Sequence, residues 1–143
     1  MSTEQNLAIV RRFFDAIHQH HLDVLDEVCA PDYVVHFPGT PGPLTRDTIK
    51  PVWAQFFVAF PELQHTIKDI FAAGDRVVVR MQIAGAQQGE FMDIPPTGRA
   101  ITMGSINILR CADGLIIEQW NNYDALGMLQ QLGVIPTPQP ATA

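Results

Sequence analysis

Asp124 is the residue of this sequence best placed for proton transfer. The alternation of a strand puts Glu118, Trp120, Asn122 and Asp124 on one face of the last predicted strand. A carboxyl near an apolar aromatic ring loses solvation, which raises its pKa and lets it exchange protons near neutral pH. We therefore expect Asp124 to be a catalytic acid/base. Alternatively, Asp124 caps the helix that begins at Ala125.

The preceding strand supplies further polar side chains. If Asp113-Gly114 is a two-residue hairpin turn, Asn107 lies opposite Trp120, and Ser105 lies opposite Asn122. The face then collects four polar side chains: Ser105, Asn107, Asn122 and Asp124. Such a group can bind a carbonyl and stabilise an enolate through hydrogen bonds. A three-residue turn would move Asn107 to the other face, and a solvated sheet face is the alternative to a pocket.

The remaining candidates concern the walls of a pocket. His36 follows two valines in a short extended segment, so it is either a polar group at the pocket rim or a structural histidine. Three aromatic residues are expected to bind substrate beside Trp120: Phe14, Trp53 and Phe57. The histidines at positions 18, 20 and 21 lie at a helix end, where the helix dipole favours them, so no metal site is expected.

Hydrophobic periodicity places helices before strands along the chain. Ser2 and Gln5 have capping-box spacing, and apolar residues then recur with helical period to about position 20. Further helices are predicted near 22–30, 46–60 and 125–132, with strands near 33–37, 64–72, 76–83, 101–110 and 115–123. This order indicates an α+β fold in which a bent sheet wraps the N-terminal helices and leaves an apolar cavity for a small ligand.

Composition favours a single soluble domain. The 143 residues are 47% apolar and 17% charged, with a net charge of −6 and no basic run, so nucleic acid and membrane surfaces are not expected partners. We expect one domain over residues 1–135, a flexible tail over 136–143 and a cytoplasmic location, because the N-terminus lacks signal-peptide features. Cys29 and Cys111 are expected to be buried free thiols rather than a disulfide, and Cys29 has no evident activating base.

Four ordered segments carry a resemblance to a known family. They are AFPEL at 59–63, GEFMDIPPTGR at 89–99, ADGLIIEQW at 112–120 and DALGMLQQLG at 124–133. In the same order they resemble the A-F-P-D-L, G-E-F-x-G-I-P-P-T-G, D-G-K-I-x-E-x-W and D-x-L-G-L-L-x-Q-L-G segments of the SnoaL-like polyketide cyclases. The sequence departs from the pattern at three positions. Relatives carry glycine at the position of Asp93 and often histidine at that of Gln87. The antibiotic cyclases carry histidine at the position of Leu109.

The resemblance implies a cone-shaped fold of the nuclear-transport-factor-2-like superfamily, with a curved antiparallel sheet and an internal pocket. It implies a cofactor-free intramolecular aldol condensation of a small hydrophobic carbonyl compound, with Asp124 as the acid/base. It also implies a homodimer that pairs through the open sheet face. Leu109 replaces a polar residue of the antibiotic cyclases, which bears on the chemistry more than on the fold.

Two other functions fit the same scaffold. Epoxide hydrolysis needs a second carboxylate and an arginine beside Asp124, and neither is evident on its face. A steroid-type isomerase needs an oxyanion donor, for which Tyr33 is the candidate. The protein would instead be a non-catalytic binder of a lipophilic ligand if the cavity exists without an acid/base inside it.

Overall fold

The computed structural model describes residues 2–138. It contains four helices, a 3-10 turn at Leu22–Val24 and six strands. The helices are α1 (Thr3–His18), α2 (Leu25–Val28), α3 (Ile49–Ala59) and α4 (Ala125–Gln131). The strands are β1 (Cys29–His36), β2 (Leu44–Thr45), β3 (Gln64–Ala73), β4 (Arg76–Ala86), β5 (Ala100–Ala112) and β6 (Leu115–Tyr123). The α+β class is confirmed; of the predicted tail, residues 139–143 lie outside the described part.

Helix α1 begins with the predicted capping box. The backbone N–H of Gln5 donates to Ser2 Oγ at 3.1 Å, and the backbone N–H of Ser2 donates to Gln5 Oε1 at 3.0 Å. These bonds satisfy donors that the first turn of a helix leaves free. The apolar stripe that follows is buried: Val10, Phe13, Phe14 and Ile17. The helix therefore packs on the sheet through the stripe that the sequence indicated.

The six strands form one sheet in the order β2-β1-β6-β5-β4-β3. The predicted antiparallel sheet is correct except at one pairing, because β1 runs parallel to β6. Strand β1 also starts at Cys29, earlier than expected, and includes Pro31. Pairing between β1 and β6 is irregular between Cys29 and Val34, so the missing N–H of Pro31 falls where the ladder is interrupted.

The β5–β6 hairpin has the predicted two-residue turn but not the predicted register. Asp113 and Gly114 both have positive φ, of 51° and 80°, as a tight hairpin turn requires. A bulge then shifts the pairing by one residue between Arg110 and Cys111. Asn107 consequently lies opposite Asn121 instead of Trp120. A slip of one residue exchanges the faces of a strand, so the expected cluster of polar side chains is divided.

The core fills most of the space between the helices and the concave face of the sheet. Cys29 and Cys111 are both free and buried there, as expected. Burial raises the pKa of the Cys29 thiol to about 12, so this side chain is a packing residue and not an activated nucleophile. Within residues 2–138, no helix combines the length and the hydropathy that crossing a membrane requires.

Candidate functional site

A small chamber lies between α3 and the concave face of the sheet. Its volume is about 20 Å³, which is room for one water-sized group. Its surface is almost entirely apolar, although five of the lining residues carry polar groups: Trp53, His65, Ser105, Asn121 and Tyr123. The chamber is thus a small apolar space in the core with polar side chains around it.

A larger apolar cavity of about 220 Å³ adjoins the chamber at the mouth of the cone. Its walls come from α3, α4, the loop after β1 and the loop between β4 and β5. Phe37, Phe56 and Tyr123 line both cavities, and their ring centroids are 5.5 to 6.4 Å apart. We call these three residues the aromatic triangle. It separates an apolar mouth, suited to a hydrophobic ligand, from the smaller chamber.

Three buried polar atoms at the chamber have no hydrogen-bond partner in the described part of the chain. They are Trp53 Nε1, His65 Nδ1 and Asn121 Oδ1. Leaving a buried donor or acceptor unpaired costs about 1–3 kcal/mol, and native proteins keep such groups rare. These three residues line one chamber, whereas the other two unpaired atoms of the described chain, Asn6 Oδ1 and Arg46 Nε, belong to residues away from it. This concentration identifies the chamber as the candidate site.

A buried network of side-chain hydrogen bonds supports the chamber from behind. Tyr33 Oη donates to Gln119 Oε1 at 2.5 Å, and Gln119 Nε2 donates to Asn107 Oδ1 at 2.9 Å. Asn107 Oδ1 also accepts from Asn121 Nδ2 at 2.7 Å, while Asn107 Nδ2 donates to Ser105 Oγ at 2.9 Å. The five residues are almost fully buried, with Asn107 at 0% exposure. The network runs along the inner face of the sheet across three neighbouring strands, from β1 through β6 to β5.

The direction of this network is fixed at Tyr33. Its buried hydroxyl has one proton to donate, and Gln119 Oε1 accepts it. The amide of Gln119 must then donate onward, which leaves the oxygen of Asn121 and the hydroxyl proton of Ser105 without a partner in the network. The Tyr33 hydroxyl, the candidate oxyanion donor of an isomerase, is therefore already engaged in a hydrogen bond of the network. Tyr123 is the tyrosine that lines the chamber, and burial raises the pKa of its hydroxyl.

His65 is the basic group of the chamber. Burial lowers the pKa of His65 to about 4, and the charges of His18 and His20 act in the same direction. Its backbone N–H donates to His18 Nδ1 at 3.4 Å, and the two rings meet edge to face at 5.8 Å. At neutral pH the ring is therefore an uncharged imidazole with one N–H and one free lone pair.

Asp124 lies outside the chamber, on the exposed end of β6. Its Oδ1 accepts from the backbone N–H of Gly127 at 2.9 Å, the N-cap bond of α4. A Cβ at position 127 would lie 2.2 Å from Asp124 Oδ2, so this cap requires glycine there. The capping role that the sequence offered as an alternative is thus present in the structure. A catalytic role for Asp124 stays a prediction.

Other predicted residues gather on the outer face of the sheet. His36, Trp120 and Asn122 border an open groove of about 350 Å³. The Trp120 ring stacks on His36 at 5.4 Å, and His36 Nε2 lies 2.8 Å from Glu118 Oε2. Trp120 therefore does not bound the interior pocket, because the bulge leaves it on the convex side. This groove is larger than the chamber, but solvent reaches its polar groups and they need no ligand.

The predicted aromatic residues also separate. Trp53 lines the chamber, as expected. Phe14 is 5% exposed and packs edge to face with Phe13 in the core, 5.0 Å away. Phe57 stacks on His20 at 4.0 Å, on the far side of α3. Neither Phe14 nor Phe57 belongs to the lining of the two cavities of the described chain, so the pocket lies nearer the mouth than expected and α1 does not border it.

The loop between β4 and β5 is organised by Gln87. Its side chain, fully buried, donates to the carbonyls of Gly89, Ile94 and Pro95 and accepts from Thr97. The glutamine thus holds the loop that carries Phe91 and Met92 to the mouth. Asp93 has a φ of 63°, in the left-handed region where glycine is favoured, which explains the glycine of related sequences. Leu109 is simply a core residue, 0% exposed.

Sequence reasoning missed His65, Asn121 and Tyr123. Alternation placed His65 with Ile67, and both point to the inner face of β3, opposite Ile83 and Met81. That signal was available but weak, because Gln64 and Thr66 are polar as well. Asn121 and Tyr123 were assigned to the wrong face by the register of the hairpin.

Comparisons with known proteins agree with this architecture. Aklanonic acid methyl ester cyclase DauD of Streptomyces sp. (strain C5) is 30% identical over 139 residues, covering 92% of this chain and 83% of that protein. IdmH of Streptomyces antibioticus, described as a candidate polyketide cyclase, is 37% identical with a TM-score of 0.81, over 91% of this chain and 99% of that chain. AclR of Streptomyces galilaeus, described as a candidate hydroxylase, is 27% identical with a TM-score of 0.86, over 96% and 87%.

The motif resemblance is confirmed at the level of the whole domain. The sequence profile of the SnoaL-like polyketide cyclases matches residues 8–132, which include most of α1, the complete sheet and α4. The sheet and the N-terminal helices match structures of the same family at up to 37% identity. This chain belongs to the SnoaL-like polyketide cyclase family.

Proposed function

We propose that this protein closes a ring in a small hydrophobic carbonyl compound, without a cofactor, by an aldol-type reaction. The observation that carries the proposal is the pairing of an apolar mouth with a chamber that contains three unpaired polar atoms. The apolar part of a polyketide-like substrate fits the mouth, and its reacting carbonyl fits the chamber. The relative DauD is a cyclase of aklanonic acid methyl ester, which makes a polyketide-like ester the substrate class to test first.

The chemistry needs a base and donors for the developing oxyanion. Removal of a proton next to a carbonyl yields an enolate, and attack of the enolate carbon on a second carbonyl closes the ring. The indole N–H of Trp53 and the hydroxyl of Ser105 are donors at the chamber, where a low dielectric strengthens their effect on the enolate oxygen. The mouth cavity of about 220 Å³ has room for a folded substrate chain, and holding its two reacting carbons together there favours ring closure.

Two residues are candidates for the catalytic acid/base. Asp124 is the residue that the family resemblance implies, and its carboxyl lies at the exposed end of β6 with one oxygen engaged in capping α4. His65 is one of the residues that line the chamber. Of the residues that line the chamber in the described chain, none is a carboxylate or an arginine. This composition favours the cyclase proposal over epoxide hydrolysis.

The first experiment is turnover of aklanonic acid methyl ester by the full-length protein. An intramolecular aldol addition leaves the mass unchanged, so liquid chromatography with mass detection should reveal an isomer of the ester with a new retention time. The control is the protein with the chamber blocked by Ser105→Leu, which adds volume to the wall of the chamber. Tight binding of the ester with no isomer formed would refute the enzyme and favour a non-catalytic binder.

We further propose a homodimer that forms through the convex face of the sheet. Four side chains make a continuous apolar row across β3 to β6: Phe71, Val78, Ile108 and Trp120. Phe71 is 55% exposed, and Ile106 in the adjacent row is 53% exposed. Exposed contiguous apolar surface of this kind marks protein interfaces. A two-fold related copy would cover the row with an identical row.

A further inference from the structure

We propose that Met92 is a specificity-determining residue, which packs on the apolar part of a substrate that extends out of the mouth. The inference rests on the proposed function and deepens it, because it names the size of substrate that the site selects. Three features of Met92 carry it: its place in the lining of the mouth, its exposed apolar side chain and its left-handed backbone.

The mouth is small for the class of ligand proposed. Its volume of about 220 Å³ lies below the roughly 300–1,000 Å³ of pockets that enclose a drug-sized ligand. A single aromatic ring fits inside it, since a cavity of about 150 Å³ binds benzene. A body of three fused rings exceeds the mouth and extends over its rim, where it meets the exposed residues of the lining.

Met92 is the most exposed large apolar residue among those that line the mouth in the described chain. It is 65% exposed, whereas Phe37, Phe56 and Phe91 of the same lining are buried. Apolar surface that is open to water in the free protein stabilises a complex when a ligand covers it. The unbranched, polarisable thioether of methionine also adapts to ligands of different outline.

The backbone presents Met92 at the tip of a tight two-residue turn. Met92 and Asp93 have φ values of 50° and 63°, a conformation that favours glycine, asparagine or aspartate over a long apolar side chain. Phe91 and Ile94 close the turn, and their backbone N–H groups donate to each other's carbonyls at 3.0 and 2.8 Å. A methionine at this position costs stability, and residues in such conformations cluster where a ligand is held.

The base of the turn is anchored in the core. Phe91 is buried, and its ring centroid lies 4.9 Å from that of Phe56. The side chain of Gln87, also buried, donates to the carbonyl of Ile94 at 3.2 Å. The backbone of Met92 is therefore in place before a ligand arrives, which reduces the conformational entropy that binding costs.

The test uses three aryl methyl ketones that share one carbonyl group and differ in the number of fused rings: acetophenone, 2-acetylnaphthalene and 2-acetylanthracene. Their dissociation constants are measured for the wild-type protein, Met92→Gln and Met92→Leu. Glutamine keeps the length of the side chain and removes its apolar character. We expect Met92→Gln to bind 2-acetylanthracene about 5–10-fold more weakly, as loss of roughly half the burial of a methionine implies. Acetophenone should bind all three proteins equally, and Met92→Leu should stay close to the wild-type protein.

Met92→Gly and Asp93→Gly form a matched pair within the turn. Asp93 has the same left-handed backbone, but it does not belong to the lining of the mouth in the described chain. Glycine suits both positions, so neither substitution should lower the midpoint of thermal unfolding. Only Met92→Gly should weaken the binding of 2-acetylanthracene. A lower midpoint in Met92→Gly would assign this side chain to the fold and overturn its role in selection.

The methionine methyl resonances in NMR spectra report the contact directly. The Met92 signal, assigned by its absence in Met92→Leu, should shift with 2-acetylanthracene and stay in place with acetophenone. The signal of Met128, which also lines the mouth, should shift with both ketones. An unshifted Met92 signal, an equal loss of affinity for all three ketones in Met92→Gln, or no binding of any ketone would each overturn the role of Met92.

Turnover separates this inference from the proposed function. If the wild-type protein converts aklanonic acid methyl ester, Met92→Gln should raise KM and leave kcat nearly unchanged, because the contact is made equally in the ground state and the transition state. An unchanged KM would overturn the role of Met92 and leave the cyclase standing. Ketone binding with the expected dependence on ring number, but without turnover of the ester, would refute the cyclase and support Met92 as the residue that selects the ligand.

Discussion

Protonation of His65 should make the protein lose stability as the pH falls below about 6.5. In the unfolded chain a histidine takes up a proton with a pKa near 6.5, whereas burial lowers the pKa of His65 in the folded protein to about 4. Between these two values the unfolded state binds more protons than the folded state, so the free energy of unfolding decreases as the pH decreases. Above the upper value and below the lower one, His65 adds no pH dependence.

The size of the effect follows from the two pKa values. Between pH 7.5 and pH 4.5 the linkage relation gives a loss of about 2.5 kcal/mol from His65 alone. That figure is an upper value, because the ring is only partly shielded from water at the chamber. A loss of this size is a large part of the stability of a typical small domain, so denaturant midpoints would register it.

The assay is urea unfolding of the wild-type protein, His65→Gln and His21→Gln at several pH values between 4.5 and 7.5. The other titratable groups are common to the wild-type protein and His65→Gln, so their effect cancels in the difference between these two proteins. The wild-type protein should lose about 1.5–2.5 kcal/mol more than His65→Gln over this range, and His21→Gln should follow the wild-type protein. Parallel curves for the wild-type protein and His65→Gln would refute the buried neutral imidazole.

Three further predictions concern the cap, the network and the convex face. Asp124→Ala should lose about 1 kcal/mol of stability while Asp124→Asn keeps it, and a fall in turnover of Asp124→Asn by about 100-fold would restore Asp124 as the acid/base. Tyr33→Phe leaves Gln119 Oε1 unpaired and should cost about 1–3 kcal/mol in urea unfolding; a loss under about 0.5 kcal/mol would show that Tyr33 does not anchor the network. Ile106→Lys should convert the dimer to a monomer in light scattering. The control is Val58→Lys, at an exposed position on α3, which should leave the dimer intact. A monomeric wild-type protein would refute the interface.

The fold was largely predictable because its determinants are local. The capping box at Ser2 and Gln5, the alternation along β4 and the Asp113-Gly114 turn each act within a few residues, and each is present in the structure. The parallel pairing of β1 with β6 was not predictable in this way. It joins segments about eighty residues apart, and no local pattern in either segment identifies the strand with which it pairs.

The site was less predictable because it depends on a bulge. The pairing of β5 with β6 shifts beside the run Leu115-Ile116-Ile117, in which every residue is apolar. Such a run shows no alternation, so nothing in it tells which residue is the extra one. The error of one residue then reversed the faces of all later positions. This error assigned Asn121 and Tyr123 to the outer face and Trp120 and Asn122 to the inner face.

The distribution of unpaired atoms distinguishes a binding site from a structural polar core. A network that served the fold alone would satisfy all its members, because each unpaired buried group costs about 1–3 kcal/mol. Every side-chain polar atom of Tyr33, Gln119 and Asn107 has a partner, and the unmet capacity of the network lies at Asn121 Oδ1. Asn121 lines the same chamber as Trp53 and His65, and these residues hold three of the five unpaired buried side-chain atoms of the described chain. A cost that gathers around one cavity departs from what a purely structural core would show, and such departures are expected at functional sites.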